Sequence, residues 1–175
     1  MSTTTYVSDA MQAAVGSIYG RQRSYPIDAS DIRRWAIAIY YPQEPPRLFW
    51  DEAHARTTAF GGIVAPEDFN PFAWMTAEPE GVQARPKAGR PDEFVEGKLG
   101  VPGPGLGHML NGGLSVTYGP ARMRPGDVIT SETSLAEYRE REGRLGLMLF
   151  TISETRWTNQ RDELVKSSQN TLIRY

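Results

Sequence analysis

The sequence predicts an α+β domain, with its helices gathered in the first half of the chain and a run of antiparallel strands in the second. Three observations predict it. Ile32, Trp35, Ala36 and Ile39 recur at i, i+3, i+4 and i+7, the spacing of one buried helical face. From residue 114 onward four strand-like runs, 114–118, 128–142, 145–158 and 164–175, are separated by turn residues rather than by helices. Between the two halves, residues 78–107 concentrate prolines and glycines, with repeated Pro-Gly and Gly-Pro steps from 101 to 107, which predicts a long irregular excursion.

In chain order, residues 16–27 alternate weakly and predict a first strand. Asp28 followed by Asp31 reads as a helix start, and the prolines at 42, 45 and 46 end that helix. Asp51 is placed to cap a second helix running to about Phe60, with Gly61-Gly62 as its C-terminal break. A third helix is expected from Pro66, a favoured first position, with Glu67 and Asp68 in the positive first turn and Phe69, Phe72 and Ala73 turned to the core. Pro71 conflicts with it, since an interior proline removes a hydrogen bond and costs about 3 kcal/mol, so this helix is expected to be kinked, short or restarted. Glu142-Gly143-Arg144 marks a hairpin between the two middle strands, and residues 159–162 make the next turn.

Composition narrows the function classes. With 175 residues the chain suits one domain, residues 1–175, with a sizeable core. A formal charge of −2 gives no electrostatic reason to expect nucleic acid or an anionic membrane surface as a partner. The absence of cysteine excludes disulfides, thiolate catalysis and Cys-ligated metals, and two histidines make a His-rich zinc site improbable, so no metal is expected. Residues 1–14 lack a basic n-region and a continuous apolar stretch, and no run approaches the ~18 apolar residues of a membrane span. A cytoplasmic protein is expected.

Two segments carry a resemblance. In residues 49–66, FWDEAHARTTAFGGIVAP, the positions Asp51, Ala55, Phe60, Gly61, Ile63 and Ala65 fall on the frame of a dehydratase motif. Downstream, Pro120 and Arg124-Pro125-Gly126-Asp127 match a strand-opening P-x-x-x-R-P-G-D signature. In this order and spacing the chain, over roughly residues 16–175, resembles the MaoC-like hydratase/dehydratase family, in particular its N-terminal MaoC-like, or fatty-acid-synthase-like, dehydratase group. The resemblance implies a hot-dog fold, a curved antiparallel sheet wrapped around a central helix. It also implies an acyl thioester, carried on coenzyme A or an acyl carrier, as substrate or ligand, with no other cofactor.

The same frame shows what is missing. In active relatives an Asp/His dyad moves the protons of water addition, which needs a side chain titrating near the working pH. The matching histidine position is held by Phe49, and its acidic partner falls near Glu44. A backbone N–H that stabilises charge on the thioester oxygen in the family corresponds here to Pro66, which has none to donate. No residue is therefore assigned a catalytic role; Asp68, Glu67 and His108 are fallback candidates. Phe49, Ala65, Pro66, Asn111 and Gly112 are the positions expected to touch substrate.

Plainer readings stand beside these. Glu67 and Asp68 also fit a role that only complements a helix dipole. His54 fits a structural histidine better than a general base, and Asn111-Gly112-Gly113 fits a turn or bulge as well as a backbone approach to a thin pantetheine arm. Arg85, Lys87, Arg90 and Lys98 are placed either to meet coenzyme A phosphates or merely to solvate the excursion. The leading expectation is a subunit that binds acyl thioester, as a homodimer or paired with a MaoC-like subunit that supplies the dyad, and that is inactive alone. The alternatives are a homodimeric thioesterase using Glu67 or Asp68, and an acyl-CoA-binding protein without catalysis.

Overall fold

The computed structural model describes residues 5–73 and 95–175. Five strands form one antiparallel sheet: β1 (Ile18–Arg23), β2 (Met109–Tyr118), β3 (Thr130–Gly143), β4 (Gly146–Thr158) and β5 (Leu164–Arg174), in the order β1-β3-β4-β5-β2. The last three follow one another through tight turns, whereas β2 crosses to the far side of β5 and forms one edge. Register shifts interrupt all four strand pairings, among them a bulge in β3 between Leu135 and Glu137 and one in β2 between Asn111 and Gly113.

The helical half is α1 (Asp9–Ala13), α2 (Ala29–Tyr40), a 3₁₀ turn (Arg47–Phe49) and α3 (Glu52–Arg56), with α4 (Glu96–Leu99) just before β2. Asp28 caps α2 by accepting from the Ser30 N–H, and Asp51 caps α3 by accepting from the His54 N–H. Of the expected apolar face of α2, Ile32 and Ala36 are fully buried and Trp35 packs edge-on against Phe69, but Ile39 is 46% exposed.

Other expectations need correction. The Asp51 helix ends at Arg56 rather than near Phe60, and β2 starts at Met109 rather than at 114. Residues 66–73 form separate turns instead of a helix; the rest of that prediction lies outside the described residues. Phe69 donates to Pro66 O and Ala73 to Asn70 O, while the Asn70 side chain captures the Phe72 N–H. These local bonds, with Pro71 unable to donate, outcompete the helical ladder. Of the irregular excursion, residues 78–94 lie outside the described set, and the remainder holds α4, which the glycine-rich composition hid.

The Arg124-Pro125-Gly126-Asp127 run acts as a staple. Gly126 (φ 87°) donates to Ile27 O, Ile27 donates to Asp127 O, and the buried Asp127 carboxylate accepts from the Arg124 N–H. The approach to β3 is thereby tied to the segment leading into α2. Two apolar clusters fill the interior: one joins α2, residues 63–65, Phe69, Met123, Ile129 and Val165, the other joins α1, Val95, Leu135, Tyr138 and Leu149.

Candidate functional site

The two motif segments meet. The Ala65 N–H donates to Met123 O at 2.8 Å, and Arg122 returns a bond from its guanidinium to Ala65 O at 2.9 Å. Ala65 and Pro66 are buried at this seam, so the backbone of Ala65 is fully engaged and Pro66 has no N–H to offer.

Phe49 ends the 3₁₀ turn and is 7% exposed, its ring 6.1 Å from that of Tyr40 within the main cluster. Around it the chain is held by Trp50 Nε1 donating to Pro45 O at 3.0 Å and by the Arg47–Asp51 ion pair. Glu44 is exposed and His54 half-buried. The place where the motif frame puts a base is thus occupied by a core aromatic ring.

Both carboxylates that follow Pro66 have partners. Glu67 accepts from Arg122 at 3.1 Å, and Asp68 accepts from the Tyr118 hydroxyl at 2.7 Å. No helix starts there among the described residues, so these contacts replace the expected helix-dipole role. Tyr118 faces Lys166 across the β2–β5 pair, and Lys166 Nζ lies 3.9 Å over the Trp157 ring, which meets Phe72 edge-on at 5.0 Å. Donating to Asp68, together with partial burial, raises the Tyr118 phenol above its usual value, so it stays protonated at neutral pH. Burial lowers the Lys166 ammonium, while Asp68 opposes that shift. A carboxylate, a phenol and an amine therefore gather beside Ala65 and Pro66, an arrangement able to accept and donate hydrogen bonds to a polar ligand.

The structure brings Phe49, Ala65, Pro66, Glu67 and Asp68 into one region through the motif segment. Asn111, Gly112 and His108 lie elsewhere. Asn111 is seven residues along β2 from Tyr118, or roughly 23 Å at a strand's rise. Gly112 sits in the bulge, where a Cβ would stand 2.8 Å from Thr171 Cγ2 and 2.9 Å from Ile173 Cγ1, so packing against β5 requires glycine. Asn111 Oδ1 accepts from the Gly113 N–H at 3.0 Å and stabilises that bulge. His108 closes the end of the sheet by exchanging backbone bonds with Tyr175 and stacking on its ring at 5.3 Å. Of the excursion's cations, Lys98 lies over the Tyr19 ring, and Arg85, Lys87 and Arg90 fall outside the described residues.

Sequence reasoning missed Tyr118, Lys166 and Arg122. The one local signal was Tyr118 at a strand end two residues before Pro120; their convergence depends on β2 lying beside β5. Among the described residues no three His, Asp or Glu side chains assemble a metal site, and no helix is long and apolar enough to cross a membrane.

A family model described as "FAS1-like, dehydratase domain region" matches residues 13–168. No curated protein matches the chain. Among solved structures, the MaoC-like dehydratase from Rhodospirillum rubrum is 23% identical, with 93% of this chain and 92% of that chain covered and a TM-score of 0.53. A chain of the ChsH1-ChsH2 complex from Mycobacterium tuberculosis is 20% identical, with 95% and 88% covered and a TM-score of 0.64. The R-hydratase PhaJ1 from Pseudomonas aeruginosa is 16% identical, with 91% and 81% covered and a TM-score of 0.52. These likenesses are of fold: the five-stranded antiparallel sheet is a hot-dog sheet, as expected from the sequence.

Proposed function

Because the chain belongs to the FAS1-like dehydratase domain family of MaoC-like proteins, we propose that it is a substrate-binding subunit of an enoyl-thioester hydratase/3-hydroxyacyl-thioester dehydratase. In this reading a paired MaoC-like hot-dog subunit supplies the Asp/His dyad, and this chain contributes surface for the acyl thioester. The observation that carries it is Phe49, at the position of the base and packed into the core against Tyr40, where its own side chain has no proton to move. Pro66 at the donor position supports it further.

The edge strand supports pairing. All ten residues of β2 are exposed, including Leu114 at 66% and Val116 at 42%, and β5 is the one strand it pairs with among the described residues. An edge of this length with apolar side chains invites another strand. The similar ChsH1-ChsH2 structure is a complex of two named subunits. In acyl-thioester metabolism such an assembly would work in the cytoplasm.

The isolated chain is expected not to hydrate crotonyl-CoA or longer 2-enoyl-CoA thioesters above background. Hydration is expected only after co-purification with a MaoC-like protein that retains Asp-x-Asn-Pro-x-His. Steady hydration by the chain alone, free of contaminating hydratase, would overturn the reading, and activity of the partner unaffected by this chain would reduce it to a bystander.

One observation favours a second reading, a thioesterase. Asp68, held by Tyr118 beside Pro66, is a carboxylate positioned next to a cavity mouth. Turnover of acyl-CoA by the chain alone, abolished in Asp68→Asn with unchanged melting, would select it. Binding of acyl-CoA without turnover in any combination would select a binding protein instead.

A further inference from the structure

Next to the cavity beside Pro66 lies a second, of about 320 Å³, that shares Ala121 and Arg122 with it. Its wall carries Arg122, Arg124 and Arg161, with Phe60 alongside and Glu163 as the one acidic lining residue. Arginines that close would repel one another unless held, and two of them are held. Arg122 donates to Glu67 at 3.1 Å and to Ala65 O at 2.9 Å, and lies 5.5 Å over the Phe60 ring. Arg161 donates to Asp127 at 3.3 Å and to Glu163 at 2.8 Å.

The acids brace this cluster more than they cap it. Asp127 is 3% exposed and sits behind Arg161, while Glu67 grips Arg122 without lining the cavity. Each of the two held guanidiniums spends two of its five N–H donors on these contacts. Arg124 spends none on a protein acceptor among the described residues. Its Nη1 stands 3.9 Å from where a Cβ on Gly62 would be, an ordinary van der Waals distance. Fixed guanidiniums with spare donors facing an open cavity are suited to phosphate oxygens, which they bind in forked pairs. An aromatic face at the same wall suits a planar base.

We propose that this cavity binds the nucleotide end of the acyl-thioester carrier, a phosphate ester next to a purine, with Arg124 and Arg161 gripping phosphate and Phe60 meeting the base. The identity of the ligand rests on the acyl-thioester reading above; the anion site rests on the arginine geometry alone. The site's residues are other than Arg85, Lys87, Arg90 and Lys98, to which the sequence pointed and of which the first three fall outside the described residues.

The test is calorimetric titration of the whole chain with adenosine 3′,5′-bisphosphate, and separately with inorganic phosphate and acyl-CoA. Arg124 is half-buried without a side-chain partner to lose among the described residues, so Arg124→Met is expected to melt like the wild type; Arg161→Met takes one partner from the buried Asp127 carboxylate and is expected to melt lower while still folding. Each is expected to weaken bisphosphate binding by about tenfold or more, the usual effect of losing a charged hydrogen-bond donor. Phe60→Leu is expected to weaken the bisphosphate but not inorganic phosphate, and Arg141→Met, an exposed arginine on β3, is expected to change neither. Absence of bisphosphate binding by the wild type, or equal binding by well-folded Arg124→Met and Arg161→Met, overturns the proposal. If acyl-CoA binds well and both variants leave it unchanged, the arginine site fails while the acyl-thioester reading stands. If the bisphosphate binds through Arg124 but no acyl-CoA does, the site stands and the acyl-thioester reading fails.

Discussion

Glu96→Gln tests a fully buried ion pair that ties the approach to β2 onto the end of the sheet. Glu96 is 0% and Arg174 1% exposed, and Arg174 grips both carboxylate oxygens, at 2.9 and 2.7 Å. The same guanidinium donates to Thr151 at 2.6 Å, and the Tyr138 hydroxyl donates to Glu96 at 2.5 Å. Replacing the carboxylate with an amide turns an NH₂ toward the guanidinium and removes the charge that both its nitrogens grip. Breaking such a pair from one side costs about 3–5 kcal/mol. For a domain of this size each kcal/mol moves the melting temperature by about 2–4 °C, so a fall of roughly 6–20 °C is expected. Removing both charges with Glu96→Leu/Arg174→Met should recover most of the loss, because a well-packed apolar pair avoids the desolvation cost.

The same pair has a pH signature. Burial alone would raise the Glu96 carboxyl, but the bonds from Arg174 and Tyr138 outweigh it and hold the group below its ordinary 4.5. A carboxyl lowered by folding contributes stability above its unfolded value and loses it as pH falls through the folded value. Wild type should therefore lose this contribution below about pH 4.5, and Glu96→Gln should show a flatter acid limb. Guanidinium melts at pH 7 and across the acid range measure both effects. Loss below about 1 kcal/mol in Glu96→Gln, with the double variant no better, would refute the assignment of a buried, dehydrated pair.

Other outcomes are expected at the candidate site. Phe49→Ala should cost about 3–5 kcal/mol in chemical denaturation, as for other buried aromatics, and Phe49→His should produce no hydratase activity because the position is core rather than cleft. Glu67→Gln and Asp68→Asn should each cost about 1 kcal/mol or less, their partners being surface contacts, and should leave any acyl-CoA hydrolysis unchanged. Asp68→Asn should also lower the pH at which Tyr118 ionises, read by ultraviolet titration, since the carboxylate is the main cause of its rise. Light scattering at micromolar concentration should show an assembly of more than one chain; a clean 19.5 kDa species would count against the exposed β2 edge as an interface.

What the sequence by itself determined is what local chemistry can state. Period-2 runs and turn residues marked β3, β4 and β5 to within about two residues, and Asp28 and Asp51 announced the starts of α2 and α3. Phe49 and Pro66 carry the expectation of a missing base and donor, because an aromatic ring cannot move a proton and proline has no N–H in any fold. Local signals misled where short-range bonds competed, as in residues 66–73, where the Asn70 side chain and Pro71 turned an apparent helix into turns. The tertiary structure alone decided which distant groups meet: Glu96 with Arg174 across 78 residues, Asp68 with Tyr118 across 50, and Arg122 and Arg124 with Arg161 at one cavity. Those meetings follow from the placement of β2 beside β5, outside its order in the chain. Periodicity fixes which face of a strand is buried, but the neighbour it chooses is set by packing over the whole sheet, which no local window of sequence carries.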